Sequence, residues 1–378
     1  MITPEKLKSE APALILKYAN SSNTKGFMQI ANTLIPFFIL FYLALASFTV
    51  SYWYAVGFIF LIALFILRIF MMMHDCGHNA LFRTKLLNQI FGFFTGVFCG
   101  MPQFVWAQHH NFHHSTNGNW SKYRGPLSTL SINEYSQLSP AGKKTYQRTR
   151  NILFSPVGAF MYFIFNPRFN WALGTVKFIS YLVMTKVKNI RTPIKTIAGD
   201  YSSRYWKNAT EYWHMCGNNI VLLGLWAVLI WTFGPAAFFT VYIASLCLAG
   251  AAGIIIFTIQ HNFEASYASD DEHWSYYQAA LEGTSFLKFS KIANWFTADI
   301  AYHHIHHLSA RIPNYNLAKC HQEYASWFTA VKQIRLSDIP NAFKYILWDT
   351  VNYKIISINQ FNQMNMSNDQ GDSPLKVA

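Results

Sequence analysis

The sequence predicts an all-α integral membrane protein: four transmembrane helices arranged as two hairpins, with a helical cytoplasmic cap that carries a two-metal site. Three observations predict it. The 378 residues are 52% hydrophobic and 17% aromatic but only 12% charged, about half the charged share of an ordinary soluble domain. Two long stretches, 34–67 and 219–260, contain no Asp, Glu, Lys, Arg or His. And eleven of the fourteen histidines fall into four groups, each beside an apolar stretch or at a fixed helical spacing.

Taken in order, residues 1–30 read as a cytoplasmic N-terminal segment. As one helix, residues 34–67 would run roughly 50 Å, beyond a hydrocarbon core of about 30 Å. Two crossings, at about 32–50 and 52–72, fit better, joined by a turn near Ser47 to Tyr54. Tyr52, Trp53 and Tyr54 suit the aromatic belt of a membrane interface. Ala44-Leu45-Ala46 resembles a signal-peptide cleavage site, but cleavage would leave the second crossing unpaired, so the first is read as retained. Residues 86–105 are apolar yet interrupted by Gly92, Gly96, Gly100 and Pro102, which predicts a partly immersed segment. Residues 152–190 mix aromatic runs with scattered lysines, as helices lying in an interface do. The stretch 219–260 is broken at Gly234-Pro235, a turn signal, giving crossings at about 218–234 and 236–259. The membrane domain is thus 31–345, its cap formed by 74–216 and 261–345, and 346–378 is a tail, disordered from the Asn- and Gln-rich run at Asn359.

Charge supports the same topology. The net charge is +13, and all 30 lysines and arginines lie outside the two predicted turns. Lysine and arginine mark the cytoplasmic side, so both termini and the long middle segment belong there. Topology and lipid contact account for the basic excess, and no nucleic acid partner is expected. Five dispersed cysteines with no C-x-x-C pair indicate neither a disulfide framework nor a zinc ribbon.

Both hairpins return into histidine, the first at "HDCGH" and the second at His261. His74 and His78 share a helix face at i and i+4. "HHNFHH" offers His110, His113 and His114, and "HHIHH" offers His303, His306 and His307, each an i, i+3, i+4 set that aims three rings at one patch. These are more imidazoles than one tetrahedral zinc needs, and suit two metals with open positions. Imidazole serves zinc, copper, iron and nickel alike. Two open-sided centres beside lipid point to oxygen chemistry, because no side-chain acid or base removes hydrogen from an unactivated methylene. Asp75 and Asp299, close in sequence to ligands, are expected to accept imidazole N–H groups or to cap helices. His109 and His304 are spare by spacing, and His214, His273 and His321 fall outside the pattern. Trp106, Trp295 and Phe296 are read as aromatic packing beside the site.

In these boxes the chain resembles the membrane fatty acid desaturase family, whose members carry H-x-x-x-H, H-x-x-H-H and H-x-x-H-H in this order. The longer runs "WAQHHNFHHSTN" and "WFTADIAYHHIHHLSARIPNYNL" are similar to acyl-lipid desaturases of the omega-6 (delta-12) type, and the likeness spans roughly residues 30–330. The resemblance implies two non-haem irons that use O2 to place a cis double bond in an acyl chain. It implies as ligands His74, His78, His110, His113, His114, His261, His303, His306 and His307. It also implies an external electron donor, ferredoxin before cytochrome b5, since no haem, nucleotide or four-cysteine signature is present. A hydroxylase or ketolase on the same scaffold is the near alternative, and a histidine-rich metal transporter the remote one. A transporter should carry ionisable residues at mid-membrane, and the two apolar stretches have none. The absence of a transit segment or a retrieval signal favours a bacterial inner membrane.

Overall fold

The computed structural model describes residues 2–48, 50–125 and 127–371. Helix α1 (Pro4–Tyr18) opens where the Thr3 hydroxyl accepts the Lys6 amide and Pro4 occupies the first turn, which has no use for its missing N–H. Two 26-residue apolar helices follow, α2 (Asn23–Phe48) and α3 (Tyr52–Gly77). Helices α4 (Lys85–Phe98) and α5 (Gln103–Thr116) meet at a bend of 103°. The bend falls at Gly100, whose φ of 70° lies in the left-handed region open to glycine. Strand β1 (Leu130–Ser131) leads into α6 (Ile132–Ser136) through a Ser131–Glu134 capping box, and Ser139 caps α7 (Pro140–Thr149).

A short α8 (Ser155–Ala159) and a π-helical stretch, Phe160–Phe165, run into the long α9 (Asn166–Lys188), followed by α10 (Ile194–Gly199). Helix α11 (Ala209–Phe233) ends before Gly234, and α12 (Pro235–Phe238) restarts the chain toward α13 (Ala244–His261). The remainder is short: α14 (Tyr276–Glu282), β2 (Ser285–Lys288), α15 (Lys291–Phe296), α16 (His303–Leu308) and α17 (Asn314–Glu323). Then come β3 (Lys332–Arg335), α18 (Ile339–Ala342), β4 (Tyr345–Asp349), β5 (Lys354–Ser357) and α19 (Ile358–Gly371). The protein is mostly helical, and four helical runs among the described residues are long and apolar enough to cross a membrane: Asn23–Phe48, Tyr52–Gly77, Ala209–Phe233 and Pro235–Ile259.

The chain divides into two compact units, one of residues 1–25, 110–155 and 251–378, the other of 26–109 and 156–250. In the second unit the apolar helices are tied by few but buried polar contacts. Arg68 Nε donates to Thr33 Oγ1 at 2.9 Å, Ser245 Oγ to the Ile59 carbonyl at 3.1 Å, and the Tyr242 hydroxyl to the Phe98 carbonyl at 2.9 Å. Arg168 donates to the carbonyls of Gly100 (2.6 Å) and Phe163 (2.5 Å) and to Asn219 Oδ1 (2.8 Å), fastening the α4–α5 bend to α11. In apolar surroundings such bonds spare main-chain groups the cost of standing unpaired.

In the first unit, α1 lays Leu7, Ala11, Leu14 and Tyr18 against Ile305 and Leu308 of α16 and Leu317 and Cys320 of α17. Lys17 and Tyr18 both pair with Glu323. Strands β1, β4 and β5 form one sheet in that order, β1 parallel and β5 antiparallel to β4, and β2 pairs in parallel with β3.

The structure departs from the sequence reading in three respects. Two small sheets interrupt the all-α expectation, because strands of two to five residues leave no periodicity that a helix-dominated chain reveals. The helices are longer than the predicted crossings: α2 begins at Asn23, α3 runs on to Gly77, and α11 begins at Ala209, where the Asn208 side chain accepts the Glu211 amide. The stretch read as a tail from 346 instead supplies β4 and β5, whose residues are nearly all buried, and the run read as disordered from Asn359 forms α19 as far as Gly371. Expected disorder at 372–378 lies outside the described residues.

Candidate metal centre

Seven of the nine predicted ligands stand in the first unit, on three helices. The last two turns of α5 present His110, His113 and His114. His261 ends α13, and α16 is six residues of which His303, His306 and His307 turn to one side while Ile305 and Leu308 enter the core. This is the outcome of i, i+3, i+4 spacing on a short helix.

Two clusters result. His113, His261, His303 and His307 are all buried, and each offers a ring nitrogen within 4.8 Å of the others. His110, His114 and His306 likewise offer nitrogens within 4.8 Å of one another. The closest approaches are His261 Nε2 to His303 Nε2 at 2.9 Å and His110 Nε2 to His114 Nε2 at 3.1 Å. Nitrogens about 2.1 Å from a shared metal and at near right angles to each other lie about 3 Å apart. Neither ring nitrogen of His307, which is 1% exposed, meets a hydrogen-bond partner among the described residues. A buried imidazole so placed carries a lone pair that suits a metal ion.

Burial holds His261 and His307 neutral, the form that ligates. Burial, and then the neighbouring His114, His303, His261 and His113, keep the His307 pKa well below its ordinary value. Burial pushes His261 down to about 4, against an opposing hydrogen bond to the Gly283 carbonyl. That bond, 3.2 Å from His261 Nδ1, leaves Nε2 as the acceptor turned toward His303. The main chain does further positioning work: Ser266 Oγ donates to the His261 carbonyl at 2.7 Å and the Tyr276 hydroxyl to that of His307 at 2.8 Å. Asn262, next to His261, donates to Thr129 Oγ1 (3.2 Å) and to the Tyr345 carbonyl (3.3 Å), so β4 braces this histidine.

His74 and His78 belong to the second unit, on the last turn of α3 and its C-cap, with ring centroids 4.8 Å apart. Asp75 Oδ1 lies 3.1 Å from His74 Nδ1, and Trp106 packs on the same ring at 5.7 Å. Asp299 has a φ of 56°, and its carbonyl accepts the Tyr302 amide that opens α16. His109 is exposed. His304 turns from the clusters: its Nε2 lies 3.0 Å from His321 Nδ1, between Phe286 and Phe328. Trp295 and Phe296 stack edge to face with each other in α15. Sequence reasoning missed His321, Tyr276 and Gly283. The first had no spacing to flag it, and the other two act on or through carbonyls, which leave no side-chain signature.

The family model for fatty acid desaturases matches residues 51–332. The chain belongs to the fatty acid desaturase family. A fatty acid desaturase of Bacillus subtilis (strain 168) is 32% identical over 354 residues, 93% of this chain and 91% of that protein. An acyl-lipid (9-3)-desaturase of Physcomitrium patens is 25% identical over 253 residues, 65% of this chain and 43% of the moss protein. An Arabidopsis thaliana protein named acyl-lipid omega-3 desaturase (cytochrome b5), endoplasmic reticulum, is 24% identical over 268 residues, 70% and 61% of the two chains. Membership in this family makes the protein an oxidoreductase acting on lipid, and its four apolar helices make it a membrane protein. Its histidine clusters are able to hold metal.

Proposed function

We propose that this desaturase uses O2 and electrons from a separate donor to insert a cis double bond into the acyl chain of a membrane glycerolipid, at the delta-12 (omega-6) position. The observation that carries the reading is the buried cluster of His113, His261, His303 and His307 in a chain of this family. The residues fit iron: every group in the cluster is an imidazole, burial holds His261 and His307 neutral, and the Gly283 carbonyl orients His261. His110, His114 and His306 would hold a second iron, with His74 and His78 completing the set on the strength of their box spacing and the family resemblance. When bound, the irons supply the oxidising power that no side chain possesses.

The chain's own residues bind, orient and exclude water. Gly283 and Asp75 each fix one imidazole tautomer, at His261 and His74. Phe257 covers His110 and His303 with its ring, at 6.3 and 6.1 Å, keeping that side of the centre apolar. Loss of two hydrogens from adjacent methylenes leaves the alkene, while dioxygen with two external electrons and two protons becomes two waters. The donor is ferredoxin in this reading; the name of the Arabidopsis relative makes cytochrome b5 the alternative. In this reading the membrane is a bacterial inner membrane, and the distribution of cations supports a cytoplasmic side for both termini and the histidines.

The test is expression in a bacterium that lacks polyunsaturated lipids, with ferredoxin and its reductase supplied, followed by fatty-acid analysis and iron determination. A new diene, absent with His306→Ala, is expected, and the bond position reads out the regiochemistry. A hydroxy or keto product would overturn the reaction assigned, and an iron-loaded protein with no product would overturn desaturation.

A further inference from the structure

Helix α9 has two unlike faces. Its inner face is fixed within its own unit: Trp171 Nε1 donates to Cys216 Sγ at 3.3 Å, and Phe178 packs on Tyr201 and Tyr212 at 5.1 and 5.9 Å. At Gly174 the helix comes so close to Trp206 and Tyr205 that a methyl group would collide with both rings. The opposite face is apolar and uncovered. Phe165, Phe169, Val176, Ile179, Val183 and Val187 recur at intervals of three, four or seven, a single stripe, and their exposure rises to 70% at Val187 and 75% at Ile190 just beyond.

An apolar stripe of this length calls for an occupant, and charge identifies it. From Tyr135 to Gly199 the sequence contains ten lysines and arginines and no Asp or Glu. Lys188, Arg191 and Lys195 follow the stripe, are exposed, and join no ion pair among the described residues. Lys177 and Lys186 are differently employed, on the Tyr205 hydroxyl and on the Ile190 and Thr192 carbonyls. At 23 residues α9 is as long as a crossing, yet Arg168, Lys177, Lys186 and Lys188 keep it outside the four runs apolar enough to span. A helix with an apolar face and, at one end, cations that join no ion pair among the described residues suits the boundary of an anionic bilayer.

We propose that α9 and residues 189–195 form a docking ridge for anionic phospholipid, in which the stripe sinks between the headgroups and Lys188, Arg191 and Lys195 bind their phosphates. The ridge is independent of the metal clusters and of the reaction assigned to them.

The full chain in a Cys247→Ser background, with an environment-sensitive fluorophore on Val183→Cys, is placed in nanodiscs of phosphatidylcholine with or without phosphatidylglycerol. A second label on Ser337→Cys, an exposed site in the other unit, serves as the aqueous reference. Native mass spectrometry counts the phosphatidylglycerol retained. Emission at 183 is expected to be blue-shifted relative to 337. Phosphatidylglycerol affinity is expected to fall about fivefold for each of Lys188→Gln, Arg191→Gln and Lys195→Gln at low salt, and about a hundredfold for all three. Lys332→Gln with Arg335→Gln, a control in the other unit, should leave it unchanged. Emission at 183 equal to that at 337, retention unaffected by the triple substitution, or efficient 183-to-183 cross-linking between copies would each overturn the proposal.

Discussion

His261 keeps its orientation through a carbonyl, that of Gly283, and is buried at 4% exposure. Burial lowers its pKa from 6.5 to about 4. The unfolded chain therefore binds a proton near pH 6.5 that the folded chain refuses until about pH 4. Stability from this group is complete above the upper value and is lost as pH falls through the window toward the lower one. The thermal midpoint of the metal-free protein should decline over that window, with a shallower decline in His261→Gln; a midpoint flat from neutral pH to about 4 would remove the argument. On the proposed two-iron reading, His307→Ala should lower iron from about two to about one per chain, as elemental analysis reads it, because it removes one of four buried imidazoles in one cluster. His321→Phe bears on the ring beside the ligands. It strips the buried His304 Nε2 of its partner, at a cost of about 1–3 kcal/mol in denaturant titration, while iron stays bound.

Helix α16 shows how two demands share six residues: His303, His306 and His307 take one side, and Ile305 and Leu308 reach α1 on the other. Leu14, wholly buried in that contact, should cost about 2–5 kcal/mol as Leu14→Ala, and the loosened α16 should bind iron less tightly. An unchanged melting temperature and unchanged iron retention would mean that α1 is not a brace. The histidine-bearing helices and the apolar runs were legible in the sequence because helical spacing and hydropathy are local properties. The brace was not. Leu7, Ala11, Leu14 and Tyr18 form a modest stripe in a lysine-bearing segment, and nothing local names their partner some 300 positions away. The same holds for β4, whose link to His261 runs through Asn262 and a carbonyl, and for the His304–His321 pair, which only the packing of α17 on α16 creates. The bend between α4 and α5 was foreshadowed by its glycines, since interruption is local too.

For the molecule as a whole, net charge and crossings make a joint statement about sidedness. Val50, in the turn between α2 and α3 and 77% exposed, should react as Val50→Cys with an impermeant maleimide added outside intact cells. Lys143→Cys should react only after lysis. The reverse pattern would turn the protein over in its membrane and place the histidines outside. Lys17 and Glu323 join residues 306 positions apart, so α1 is made well before the segment it docks against. At about 5–20 residues per second the apolar side of α1 waits roughly 15–60 s for its partner. A nascent chain in that interval has neither the closed unit nor His303, His306 and His307. On the proposed two-iron reading, metal is thus acquired only after that interval, and a fusion or tag that delays docking of α1 will show first as a shortage of metal.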